Sequence, residues 1–442
     1  MAMRTEGRTG TVAAITLAAA LLLWPALWNG YPLVFSDTGT YLSQAIEHYV
    51  GWDRPIFYSL FLLPLHMTLT TWPVIAVQAL LVVYVLHLVL RTLLPSSSAW
   101  WLLPLVGALT LTTSLPWFAS QLTPDVFTGT LVLTLTLLVI EPLTKRERVG
   151  LAATATFMVA AHQSHVPLAF ALVLVLLPFR RFERAALLWS IAPPVLAVLA
   201  LVTVNLVAFG RASPSPFGNV FLLARVIYDG PGQDALRRDC PASGWRLCAF
   251  ADRLPANADD FLWRADGTVA LAGGAKLVSR EAGAIIAAAV FAEPGPELRA
   301  GAWNSAQQLA HFATGDGLQP WAATVTPWID REFPRFEATW HAASRQSAGT
   351  LEVTQWMQTL HIVTALSAIA ACCALLLAAP RRHPASVFAI AVLVALLTNA
   401  AITGGLSGPH DRYQSRIMWL PPLIAVVGVA ALRPRPVRTD SR

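Results

Sequence analysis

The sequence predicts an all-α polytopic membrane protein with about ten transmembrane helices, an outer-face interfacial helix and a mainly helical outer domain. Three observations carry this. Of 442 residues, 55% are hydrophobic and only 13% charged, with a mean hydropathy of +0.56; soluble domains carry roughly 25% charged residues. Apolar runs approach the length a helix needs to cross a bilayer, and such runs fit helices better than barrel strands. Basic residues also recur on alternate connections. They are Arg4 and Arg8, then Arg91, then Lys145, Arg146 and Arg148. Arg180, Arg181 and Arg184 follow, then Arg381 and Arg382, then Arg433, Arg435 and Arg438. The positive-inside rule puts that side in the cytoplasm, together with both termini.

The predicted spans are 11–30, 72–92, 100–118, 125–143, 149–162, 165–178, 185–209, 357–379, 385–404 and 416–432. Residues 1–209 form an N-terminal membrane module and 210–355 an outer domain; 356–432 form a C-terminal membrane module and 433–442 a basic tail. The apolar stretch 56–71 is interrupted by Pro64 and His66, and is expected to lie along the outer face. If it crossed, Arg91 and the Lys145–Arg148 cluster would move outside. No cleavage site of small residues follows the first apolar run, so it is expected to remain as an anchor. Net charge is +6 and pI about 9.4. The excess sits in short loops, which favours membrane anchoring and argues against a nucleic-acid partner. The abundance of Ala, Leu, Pro and Arg suggests a GC-rich bacterium, hence the inner (cytoplasmic) membrane.

Ionisable side chains gather in four outer segments. The first loop, 31–64, carries Asp37, Glu47, Asp53 and Arg54, with Tyr58 following. Gln121, Thr123 and Asp125 precede the fourth span. His162 and His165 stand at the tip of a short helical hairpin. His410, Asp411, Arg412, Tyr413 and Arg416 occupy the last outer loop. Charges near membrane depth are costly, so they default to functional hypotheses. Asp37 reads either as a helix cap near Thr38 or as a carboxylate base. Asp125, in Thr-Pro-Asp, reads as an ordinary helix start or as a site residue. Arg54 suits a phosphate through its guanidinium fork. His162 and His165 share a helix face at i and i+3, which is weak ground for a metal site. Cys240 and Cys248 lie close together in the outer segment and are expected to form a disulfide outside the cytoplasm.

The order of features resembles a known plan. A first span leads to an outer loop with Asp37 before Tyr41, then an Arg-Pro-x-x-Tyr-x-Leu-Phe-Leu segment from Arg54. A Pro124–Asp125 turn precedes a long apolar span, and an Arg412–Tyr413 step leads into a final span with Pro421 and Pro422. This set resembles the GT-C superfamily of membrane glycosyltransferases, in plan like the protein O-mannosyltransferases and lipid A sugar transferases. It covers roughly residues 11–210 and 357–432, and the 210–355 insertion departs from the usual arrangement. The resemblance implies a polyprenyl-phosphate sugar donor drawn from the membrane lipid and an inverting transfer to a cell-envelope acceptor at the periplasmic face. It implies Asp37 as base, Asp125 as a second acidic residue that assists the acceptor or a divalent cation, and Arg412 as a donor-phosphate contact. Tyr58, His410, Tyr413 and Arg416 join the substrate-binding candidates, with Arg54, His162 and His165. Two rival readings are a transporter or flippase for a lipid-linked saccharide and an O-antigen ligase or polymerase. The first needs polar groups through the membrane depth; the second would rely on outer-loop residues such as His311 and His341. Convergence of Asp37, Asp125 and Arg412 in one cavity open to the bilayer favours the transferase.

Overall fold

The computed structural model describes residues 7–140, 143–179 and 184–433. Arg4, Arg180, Arg181, Arg435 and Arg438 lie outside the described residues, as does the basic tail beyond Arg433. The described chain is all-helical; no strand forms there, only an isolated parallel bridge between Leu33 and Gln121.

Among the described residues, five helices are long and apolar enough to cross a membrane: Trp72–Leu93, Leu188–Phe209, Gln355–Ala378, Pro384–Leu406 and Asp411–Leu432. This is half the predicted count. Proline and extended backbone shorten several of the others. The first apolar run stops at Leu21 and restarts as Trp24–Asn29, with Pro25 at the new helix start, where its missing N–H costs least. The third breaks at Thr113, whose backbone is extended, and Leu115–Ala119 begins anew with Pro116 in its first turn. The hairpin arms are Lys145–Ala161 and His165–Leu176, the first lengthened by a capping box between Thr144 and Glu147. Ile56–His66 is 11 residues long, about 17 Å at the rise of an α-helix, too short for a roughly 30 Å hydrocarbon core. It ends at Met67 in a left-handed conformation.

The core surrounds Val126–Ile140. All of its residues are buried, which suits a helix that is apolar on every side. It is packed by Trp72–Leu93, Lys145–Ala161, His165–Leu176, Arg184–Phe209 and Pro384–Leu406. Gly129 lets Trp419 lie against this helix: a β-carbon there would stand 2.6 Å from the indole. Trp419 is itself fully buried. Gly129→Ala should therefore overpack the centre and cost about 1–3 kcal/mol, read as a lower melting temperature in detergent. An unchanged melting curve would show that the indole can move aside.

The 210–355 segment buries its side chains in two directions. Residues such as Leu223, Ile227, Phe261, Val278 and Ile285 form a hydrophobic core of their own. Val325, Ile329 and Phe333 instead join the main core, and Leu318, Leu351 and Val353 pack with Leu33 and Trp117. Cys240 and Cys248 are joined in a disulfide. The helix Pro294–Ala310 lies along Pro384–Leu406; a β-carbon on Gly404 would meet the Asn304 carbonyl at 2.5 Å, so glycine permits the close approach.

Candidate functional site

Asp37 is placed by a pinned approach to its helix. Leu33 N donates to the Ser120 carbonyl at 2.9 Å, and Leu122 N donates to the Leu33 carbonyl at 2.8 Å. Gln346 clamps both backbone groups of Val34, accepting from N at 2.9 Å and donating to O at 2.7 Å. Just before, the Tyr31 hydroxyl donates to buried Glu337, which also receives Thr71 N and Oγ1, each at 2.8 Å. The helix Ser36–Glu47 then starts with Phe35 as its N-cap residue, and Thr38 Oγ1 accepts from Phe35 N at 2.9 Å. Asp37 is thus in the first helical turn, not at the cap, and its carboxylate turns to arginine.

Asp125 sits in the turn that opens Val126–Ile140. Arg412 and Arg416 are one helical turn apart at the short helix Asp411–Ser415 and just beyond it, so both point the same way. The backbone N of Arg412 donates to Asp316 at 3.0 Å, and Asp411 accepts from Ala313 N at 2.8 Å, which fixes this turn against the outer segment. Arg54 arrives from the turn just before Pro55 and the Ile56–His66 helix.

These elements bring five charges together. Arg54 Nη2 lies 2.7 Å from Asp37 Oδ1, and Arg412 Nη2 lies 3.5 Å from Asp37 Oδ2. Arg412 also binds Asp125 Oδ2 through Nη2 at 2.6 Å and Nε at 2.8 Å. Arg416 Nη1 reaches Asp125 Oδ1 at 2.8 Å. Thr123 Oγ1 adds a donor to Asp125 at 3.3 Å. Arg416 Nη2 further donates to Ser164 Oγ and Asn399 Oδ1, both at 3.0 Å. The Phe35 ring lies under the Arg412 guanidinium, 3.5 Å from it.

Burial pushes the Asp37 carboxyl upward, but Arg54 and then Arg412 more than offset it, and the group is held below the ordinary carboxylate range. Arg412 and Arg416 together enclose the Asp125 carboxylate. Asp53 moves the other way from Asp37, because burial outweighs its neighbour Arg54. Both central carboxylates are thus anionic and spoken for by guanidinium groups. Among the described residues, no three His, Cys, Asp or Glu side chains gather as metal ligands.

Other candidates take lesser places. His162 Nδ1 pairs with Ser164 Oγ at 2.9 Å, so it touches the cluster through one hydroxyl. Both ring nitrogens of His165 have partners: Nε2 meets Thr128 Oγ1 at 2.7 Å and Nδ1 meets the Met158 carbonyl at 2.6 Å. It ties the hairpin to the central helix. His410 likewise stands aside; its backbone is held by Gln308 and its ring rests on Tyr413. Tyr413 lies beneath Arg416 at 5.7 Å. Tyr58 bonds Gln78 and braces Tyr41, whose ring is 4.8 Å away, so it supports the site without touching its charges. Glu47 pairs with Arg331 at the surface. His311 is exposed and bonds the Gln307 carbonyl, while His341 is buried against Tyr31.

Sequence reasoning passed over Phe35, Asn399 and Asp316. Asn399 carried a signal, an amide inside an apolar span. Tyr41 is fully buried and its hydroxyl has no hydrogen-bond partner among the described residues.

Beside Arg54 lies a narrow cleft of about 10 Å³, lined by Trp52, Phe57, Gln163, Leu201, Val204 and Asn205 among others. Its polar end holds Arg54 and its apolar side is the spanning helix Leu188–Phe209. The central helix offers no comparable polar path. Thr130, Thr134 and Thr136 each donate to the carbonyl four residues back, which consumes their hydroxyls locally. In comparisons with known proteins, no family model, curated protein or solved structure matches this chain.

Proposed function

We propose that this chain is a membrane glycosyltransferase that moves a sugar from a polyprenyl-phosphate donor to a cell-envelope acceptor at the outer face of a bacterial inner membrane. The reading includes the GT-C-type plan, the ten-pass topology and the cytoplasmic termini expected from the sequence. One observation carries it: Asp37, Asp125 and Arg412, from three distant segments, meet in a buried cluster whose Arg54 faces a cleft against a membrane helix.

The polyprenyl tail lies along the apolar side of that cleft, by Phe57, Leu201 and Val204. The donor phosphate takes Arg54, competing with Asp37 for the same guanidinium, and Arg412 stands next in line. This exchange does more than bind. Asp37 is held low mainly by Arg54, so once phosphate takes that arginine, burial raises the carboxylate's basicity. Donor binding thereby arms the base. The acceptor hydroxyl oxygen then attacks the anomeric carbon. Its proton passes to Asp37, the bond from that carbon to the phosphate oxygen breaks, and the electron pair leaves on the phosphate, where the arginines stabilise it. Asp125 keeps Arg412 and Arg416 in place and contributes no proton step.

Thr130, Thr134 and Thr136 of the central helix bond within the helix and Thr128 bonds His165, which favours the transferase over a flippase. The test is transfer from radiolabelled polyprenyl-phosphate hexose or pentose to envelope acceptors by the purified chain in nanodiscs. Label moving out of the lipid fraction is expected. Label that crosses vesicles intact, without leaving its lipid, would replace the transferase by the transporter.

A further inference from the structure

Three aromatic rings cluster beside Arg54, one of them, Trp52, lining the cleft, and the reaction scheme above leaves them without a task. Trp52 belongs to the first outer loop, whereas Phe221 and Trp263 come from the outer segment, on the helices Gly218–Tyr228 and Ala258–Trp263. Their centroids form a triangle 5.7 Å on each side. Trp52 and Phe221 are nearly parallel at 15°, and Trp52 and Trp263 are inclined by 29°. Arg54, which pairs with Asp37, also lies over the Trp263 ring, 5.5 Å from its centroid. Trp52 itself lines the cleft, and Trp263 is 45% exposed, although a tryptophan of this size is usually highly buried.

A patch that only glued the outer segment to the membrane module would cover its rings. Here Trp263 stays open beside the Arg54 guanidinium, which is itself paired with the Asp37 carboxylate. This combination suits one ligand chemistry. The C–H-bearing face of a sugar ring is apolar and weakly positive, and it meets the negative face of an aromatic ring. The hydroxyls at its edge need charged or polar partners within reach, as binding pockets with apolar walls and few convergent polar groups provide.

We propose that Trp52, Phe221 and Trp263 form a platform for the sugar of the lipid-linked donor, so that the outer segment completes the substrate site. The proposal rests on the transferase reading and adds the location of the sugar. Arg54 then links two subsites: its charge holds the phosphate and its flat face lies on the ring that receives the sugar. The outer segment, through Phe221 and Trp263, selects among saccharides, while Arg54 and the cleft recognise the lipid phosphate common to all of them.

The experiment compares two probes on the full chain in nanodiscs: undecaprenyl phosphate carrying one hexose, and bare undecaprenyl phosphate. Trp263→Ala should weaken the sugar-bearing lipid about tenfold, with the bare lipid unaffected, and Trp263→Phe should restore most of the difference. Equal weakening of both lipids, or of neither, overturns the platform. A methyl hexoside titration, read as quenching of tryptophan emission, separates this from the parent reading. If the wild-type chain binds neither lipid, the transferase reading fails. Quenching that is then present in the wild type and lost in Trp263→Ala still upholds the saccharide platform, and absence of quenching removes it as well. A melting curve on each variant shows that folding is retained; where Trp263→Ala is not folded, Phe221→Ala takes its place, with the same selective weakening of the sugar-bearing lipid expected and equal or no weakening overturning the platform.

Discussion

Asp125→Ala is expected to lose more stability than any other single change at the site. The carboxylate is fully buried and accepts from Arg412 Nε and Nη2, from Arg416 Nη1 and from Thr123. Removing it leaves two guanidinium groups facing each other with little water to screen them. Breaking a buried ion pair by deleting one partner costs about 3–5 kcal/mol, because the remaining charge is uncompensated. Here one carboxylate serves two arginines, so the upper part of that range is expected. Arg416 keeps hydrogen bonds to Ser164 and Asn399, and Arg412 retains its longer contact with Asp37, but these are weaker substitutes. The measurement is thermal unfolding in detergent together with recovery of monodisperse protein. Asp125→Asn should lie between the two, since the amide keeps one acceptor and loses the charge. A normal melting temperature for Asp125→Ala would mean that water or an ion enters the cluster and replaces the carboxylate.

Asp37→Asn should have the opposite profile, with large loss of turnover and little loss of fold. The side chain is nearly isosteric, and it lies at the edge of the cluster, with Arg54 partly open to solvent. Arg412 keeps Asp125 and Arg54 keeps the Asp53 carbonyl at 3.0 Å. The amide cannot accept the acceptor's proton, so transfer should fall about 10²–10⁴-fold, the usual worth of general-base help. Donor affinity supplies the discriminating readout. In the wild type, Asp37 competes with the donor phosphate for Arg54. Without that negative charge the phosphate should bind at least as tightly, while kcat falls. A structural defect would weaken binding and turnover together. Full activity in Asp37→Asn would remove Asp37 as the base and leave its pairing with Arg54 as its role.

The platform prediction and these two are separable by position. On the proposed reading, Asp125 governs whether the cluster forms, Asp37 takes the proton, and Trp263 selects the sugar. Gly129→Ala addresses the packing behind all three, because Trp419, whose indole donates to the Arg416 carbonyl at 3.0 Å, occupies the space that glycine leaves.

By itself the sequence determined the all-helical, membrane-type character of the chain and the segments in which charge is concentrated. Both follow from composition and run length, which are local quantities. It also brought Cys240 and Cys248 within bridging reach, since eight positions separate them. Helix lengths were less legible. An apolar run continues through Leu21 to Leu27 or through Thr113 to Trp117, yet the backbone breaks there, because proline and capping geometry act on hydrogen bonds that hydropathy does not register. The partnerships of the site were decided by tertiary structure alone. Arg412 and Arg416 meet Asp125 across 287 and 291 positions, and Arg412 meets Asp37 across 375. No local pattern encodes such pairings; they depend on which helix ends are packed side by side. The same reason separates His162 from His165. They are neighbours in sequence, but packing gives one a hydroxyl link to Arg416 and occupies both nitrogens of the other. The first outer loop could announce that Asp37 and Arg54 were unusual. Only the fold, by burying them with Asp125 and Arg412 beside the helix Leu188–Phe209, turned separate polar residues into one charged cluster.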